Sequence, residues 1–273
     1  MNSVVFRGQL FRGSGKTSIN QFDKVLRSVR DWHDGEVILS TWDDQPMDFD
    51  QKMVDVVITT KDVGQDELRC YPFKRNCKRQ TTLANLGAEA ATGDKILLTR
   101  TDMIHKKNIF NQVIPNKLTI PVLLSMDPDY RGPFKNRKHE NIKNPYFYIS
   151  EACTRLFHPS DLFQCGFALD VKRWASKEVA ASVLKNMQSF CCIEQLWCIS
   201  YLNIFKGYEI DFFDLESHHD QRWSALVDNF EIKDLIQLKA GITQEKYNCP
   251  RFQRAARLLT NKTFTSKKGG TNA

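Results

Sequence analysis

Residues 76–102 read NCKRQTTLANLGAEAATGDKILLTRTD: a helix with a basic head, a glycine turn, a short buried strand and an acid at the strand's end. Leu83, Leu86 and Ala90 recur at helical spacing with Ala88 and Ala91 between them, and Gly93 stops the helix. The run Lys95-Ile96-Leu97-Leu98-Thr99 has the length and apolarity of a strand covered on both faces. Arg100-Thr101-Asp102 then stands where that strand should emerge. In open α/β sheets ligands bind outside the carboxyl ends of the strands, so a charged triplet there is placed for chemistry. The plain alternative is a solvated strand end.

Working outward, the same alternation repeats. Val4-Val5-Phe6 is a short apolar strand, and residues 19–32 carry Phe22, Val25, Leu26, Val29 and Trp32 on one helical face. Gly35 breaks that pattern before EVILSTW at 36–42, and residues 54–59 form a third strand candidate. Repeated β-α units predict an α/β fold with a mostly parallel sheet and helices on both faces. After Asp102 the texture changes. Residues 118–125 read as one further strand, residues 127–144 as a polar, basic, turn-rich loop, and residues 194–202 and 223–238 as helices of a helical C-terminal part. The expected organisation is a single domain over 1–264 with a disordered basic tail, TSKKGGTNA, at 265–273.

Composition narrows the function. The 39 Lys and Arg against 32 Asp and Glu give a formal charge of +7, modest for a dedicated nucleic-acid binder and suited to an anionic ligand or an anionic membrane surface. Eight cysteines without a CxxC pair read as buried reduced thiols, and no apolar run approaches the roughly 20 residues that span a bilayer. The expected location is the cytoplasm, with peripheral membrane contact allowed. GSGKT at 13–17 invites a P-loop reading, but that motif needs glycine where Leu10 stands, so a strand-to-helix loop beside a nucleotide pocket is preferred. Asp127-Pro128-Asp129 is a literal DxD whose proline suits a solvated turn, and Asp102 lies in the better context. His218-His219-Asp220 reads as a loop and helix start, because adjacent side chains diverge, and His158 as a loop histidine.

The ordered series VVFRGQLF, SVRDW, EVILSTW, NCKRQ, GDKILLTRTD, HPSDLFQCG and IEQLW, spanning residues 4 to 202, resembles the WavE family of lipopolysaccharide-synthesis proteins, which are similar to GT-A glycosyltransferases. The resemblance implies a Rossmann-like nucleotide-binding sheet, a nucleotide-sugar donor and a cell-surface glycan or lipid-linked glycan acceptor. It implies that Arg7 and Gly8, then Ser40, Thr41 and Trp42, end strands near the nucleotide. Asn76, Arg79 and Gln80 would open the helix near the donor. Arg100 and Asp102 match the family's Arg-Thr-Asp, with Asp102 where GT-A enzymes keep the acid for a divalent cation, Mn or Mg. Arg100 holds the place of the first acid of a full DxD, and its guanidinium could itself neutralise a phosphate.

Two carboxylates compete for the role of general base. Glu194 lies in the apolar run CCIEQLW, where burial should disfavour ionisation unless it is paired, and Asp161 precedes a strand-like run ending at Gly166. A helix-start glutamate and an Asx-turn are the structural alternatives. Whether transfer inverts or retains configuration stays open at this level. The rival function is a nucleotide- or nucleic-acid-binding α/β protein without transferase activity, using residues 74–79 and 131–143. Those runs lack the regular aromatic interleaving of a base-stacking surface, so nucleic acid is not the expected partner.

Overall fold

The computed structural model describes residues 1–10, 20–64, 66, 76–121, 123–126, 162–189, 191, 193–218, 221–233, 238, 240–242 and 256–259. In chain order the regular elements are β1 (Asn2–Arg7), α1 (Asn20–Arg30), β2 (Glu36–Trp42), β3 (Val56–Thr60), α2 (Cys77–Ala90), β4 (Lys95–Arg100), β5 (Met103–His105), β6 (Leu118–Pro121) and β7 (Leu123–Met126). There follow β8 (Phe163–Phe167), α3 (Ala168–Trp174), α4 (Lys177–Lys185), α5 (Ile193–Phe205), α6 (Gln221–Asn229), β9 (Phe230–Lys233), β10 (Ala240–Ile242) and β11 (Ala256–Leu259).

Seven strands form one sheet in the order β3-β2-β1-β4-β8-β6-β9. The first four are parallel, and β8 enters antiparallel to both β4 and β6. The fold is therefore α/β, a GT-A-like, mostly parallel sheet with flanking helices. The chain steps from β1 outward to β3 and then returns to place β4 on the other side of β1. That reversal opens a crevice at the carboxyl ends of β1 and β4.

Side-chain alternation divides the core into two layers. Val5, Ile38, Ile96 and Leu98 face α2 and the α3–α5 layer, whereas Val4, Phe6, Val37, Leu39 and Leu97 face α1. On α1, Phe22, Val25, Leu26 and Val29 are all fully or nearly fully buried, the stripe its spacing predicts. Helix α2 lies close on the sheet through Gly87, where an added Cβ would come within 2.5 Å of Val5. Running back between β3 and β4, it brings its amino terminus to the carboxyl edge.

Three expectations change. Residues 118–125 are not one strand: β6 pairs with β8 and β9, and β7 pairs with β11. Pro121 ends β6, since proline has no N–H to continue a ladder. The helix expected over 223–238 stops at Asn229, because Phe230 and Ile232 alternate into the core as β9 beside β6. Helices α3 and α4, before the stretch read as helical, are additional. The basic loop 127–144 and the tail 265–273 lie outside the described residues. Cys77, Cys165, Cys191 and Cys198 are buried, and burial pushes the Cys165 and Cys198 thiols well up. Among the described residues, no helix is long and apolar enough to cross a membrane.

Candidate functional site

A cleft opens at the carboxyl ends of β1, β2 and β4, lined by Arg7, Gly8, Gln9, Trp42, Asn76, Arg79, Gln80, Leu83, Arg100 and Thr101. It lies at the reversal point of the strand order, on the face covered by α2. Sheet register explains the gathering. Arg7 is the partner of Ser40 on one side and of Arg100 on the other, so the two arginines end adjacent parallel strands at one level and on one face.

Backbone bracing holds the turn after β1. Gly8 has φ +131°, a region that side chains rarely adopt, and an added Cβ would stand 3.2 Å from the Thr101 hydroxyl. Gly8 N–H donates to Ser40 O at 3.2 Å, Thr41 Oγ1 donates to Gly8 O at 2.8 Å, and Thr101 Oγ1 donates to Gln9 O at 2.7 Å. These bonds bring Gly8 and Gln9 over the strand ends. Ser40 and Thr41, expected to touch the nucleotide, are fully buried, and neither lines the cleft. Thr41 braces the turn, and Ser40 packs beneath Gly87.

Two of the arginines are oriented by carboxylates that do not line the cleft. Arg100 donates through Nε and Nη2 to the two oxygens of Asp102, at 2.9 and 2.8 Å. Arg79 donates through Nε to Asp62 at 2.7 Å and through Nη2 to its other oxygen, and this contact holds the Asp62 carboxyl below its usual range. Such forks fix a guanidinium plane as well as its position. Arg7, only 4% exposed, has its Cζ 5.5 Å from the centre of the Trp197 ring on α5. At the amino end of α2, Asn76 makes no side-chain capping bond, and Lys78 N–H donates to the buried Asp66. The amino end of α2, whose first turn meets the Asp66 carboxylate, stands beside the three guanidinium groups.

Of the residues singled out in the sequence, the cleft brings together Arg7, Gly8, Trp42, Asn76, Arg79, Gln80 and Arg100. Glu194 sits half-buried in the first turn of α5, one turn before Trp197, and does not line the cleft. Asp161, His158, Asp127, Asp129 and the GSGKT segment lie outside the described residues. His218 accepts from Asp211 N–H at 3.0 Å, a loop contact. Sequence reading missed Gln9, Leu83 and Thr101, which adjoin marked positions, and Asp62, whose signal was only an acid in a loop.

Asp102 offers a poor seat for a divalent cation as arranged. Mn and Mg take several oxygen ligands and favour carboxylates whose charge is not already cancelled, whereas both Asp102 oxygens accept from one guanidinium. Among the described residues, no group of three or more His, Cys, Asp or Glu is placed to hold a metal ion.

No curated protein matches the sequence. The model of a family described as WavE lipopolysaccharide synthesis matches residues 2–237, which include every described element of the seven-stranded sheet and its arginine-lined cleft. The chain belongs to the WavE lipopolysaccharide synthesis family.

Proposed function

We propose that the protein is a glycosyltransferase that moves a sugar from a nucleoside-diphosphate donor to a lipopolysaccharide or capsule precursor. The observation that carries this reading is the position of an arginine-lined cleft at the reversal point of the sheet, with the amino terminus of α2 beside it. Donors of this class present a diphosphate, which needs concentrated positive charge, and a nucleoside, for which Trp42, Leu83, Gln80 and Asn76 supply apolar and amide surface.

In the transfer, the bond from the anomeric carbon to the β-phosphate oxygen breaks and its electron pair stays on that oxygen. The acceptor hydroxyl oxygen forms the new bond to the anomeric carbon, and its proton passes to a carboxylate. Glu194 is the first candidate for that base in an inverting reaction, because its helix carries the Trp197 ring packed on Arg7; Asp161 is the second.

A thermal-shift panel of UDP-, GDP- and CMP-linked sugars tests the reading. A ligand that binds only the folded state stabilises it by about 2.7 kcal/mol at one hundred times its dissociation constant, so the correct donor should stand out. A panel with no stabilising nucleotide sugar would return the protein to a binding module without transferase activity.

A further inference from the structure

Arg7 and Arg100 are register partners on adjacent strands, a pairing of like charges that costs stability unless something offsets it. Asp102 balances Arg100, Asp62 balances Arg79, and the Trp197 ring lies against Arg7. Neither carboxylate lines the cleft: among the described residues that do, there are three guanidinium groups and no acid. A cation-assisted diphosphate site has the opposite order, with carboxylates facing the cavity and the metal between protein and phosphate.

We infer that this cleft binds the diphosphate of its substrate directly through Arg7, Arg79 and Arg100, without a divalent cation, and that Asp102 is a positioning residue for Arg100. The inference rests on the donor reading above and adds how the leaving group is neutralised. Charge developing on the β-phosphate oxygen as the glycosidic bond breaks would be met by donors already fixed in place. Preorganisation of this kind is what makes such stabilisation effective. The forks at Arg79 and Arg100 supply it through orientation, which a lysine could not reproduce.

Isothermal titration of the full-length protein with inorganic pyrophosphate, UDP, GDP and UDP- and GDP-sugars, each in excess EDTA and in manganese, tests the inference. The expected result is pyrophosphate and nucleoside-diphosphate affinity that changes less than about two-fold between the two conditions. Arg79→Gln and Arg100→Gln should each weaken binding by roughly 10- to 100-fold, the range for one charge-assisted contact. Asp102→Asn should weaken it by less and leave it equally insensitive to chelator. Circular dichroism spectra matching wild type would show that each variant folds. Binding that appears only with manganese, and loses its manganese response in Asp102→Asn, would overturn the cation-free site while keeping the donor reading. Pyrophosphate binding in EDTA without affinity for any nucleotide or nucleotide sugar would keep the anion site and overturn the donor reading. Failure of every anion to bind in both conditions would overturn both.

Discussion

The two ends of the sheet use arginine and carboxylate in opposite ways. At the amino end, Arg30 donates to Met53 O at 3.0 Å, Gly35 O at 2.7 Å and Asp55 at 2.8 Å, and Asp55 accepts in turn from Val37 N–H at 2.7 Å. Glu36 there accepts from the Ser3 and Thr92 hydroxyls and from Thr92 N–H. Charge at that end is spent on the molecule's own backbone and loops. At the carboxyl end Arg7, Arg79 and Arg100 line a cleft, and the carboxylates paired with Arg79 and Arg100 do not. One end closes the fold and the other leaves positive charge facing a cavity. Residue type is therefore a poor guide to role, and position along the strand is a better one.

The largest separation should come from Glu194, whose helix supports the cleft end through Trp197. As the proposed base, Glu194→Gln should lower turnover by roughly 10² to 10⁴ while donor affinity stays near wild type, because general-base assistance acts on the acceptor hydroxyl. Steady-state kinetics beside donor titration provide the check. Asp161→Asn should be measured in parallel: a nearly normal Glu194→Gln enzyme with a folded, inactive Asp161→Asn would move the role to Asp161.

At the closing end the sharpest probe is Gly93, whose N–H donates to Ser3 Oγ. A Cβ there would lie 2.5 Å from Ser3 Oγ and 2.6 Å from the Asn2 and Ser3 backbone, with no flexible neighbour to yield. Gly93→Ala should cost roughly 3 kcal/mol of stability, the upper range for overpacking, with nucleotide affinity of the folded protein unchanged. Urea denaturation and donor titration on the same sample distinguish the two quantities. An affinity loss matching the stability loss would mean that the ends are coupled through β1 and β4.

How much of this was legible in the sequence follows the range of the interactions. The β1-α1-β2 unit, β3, α2 and β4 could be read because each declares itself within a dozen residues, through periodicity and a glycine stop. Arg100 could be placed at the carboxyl end of a strand because a strand end is a local feature, whereas Arg7 and Arg79 are marked only by the resemblance to the WavE family. The insertion of β8 between β4 and β6 could not, since Thr119 meets Cys165 only across a long separation in sequence. Phe230 and Ile232 looked helical until a neighbouring strand supplied the period of two. Asp62 and Asp55 were equally opaque, because which carboxylate stands behind an arginine is decided by tertiary packing.

A third probe separates the ends by pH. His105 is fully buried, its ring nitrogen 2.9 Å from Thr99 Oγ1, and burial pushes its pKa down from 6.5 to about 3. The folded state holds this histidine neutral, so its contribution is complete above pH 6.5 and is lost as pH falls from 6.5 toward 3. At pH 5 the loss should be about 2 kcal/mol. Asp55, whose carboxyl lies below its usual value with Val37 N–H and Arg30 as partners, contributes stability present above the ordinary carboxylate pKa and lost only at lower pH. Denaturation at pH 7, 6 and 5 should show a wild-type slope that His105→Gln reduces by about one proton. An unchanged slope in that variant would assign the acid sensitivity elsewhere.

The smallest and most discriminating test is one substitution made at both ends. Lysine keeps the charge of arginine but loses its planar set of donors. In Arg30→Lys a single ammonium cannot serve Met53 O, Gly35 O and the partly exposed Asp55 together, so stability should fall by about 1 kcal/mol with nucleotide affinity unchanged. In Arg100→Lys the fork to Asp102 is lost, so diphosphate affinity should fall about ten-fold while the unliganded protein unfolds at nearly the wild-type denaturant midpoint. Identical chemistry would then be read as stability at one end and as affinity at the other. If Arg30→Lys weakened nucleotide binding as much as Arg100→Lys did, the division of labour between the two ends would fail, and the cleft would have to be treated as one unit with the scaffold beneath it.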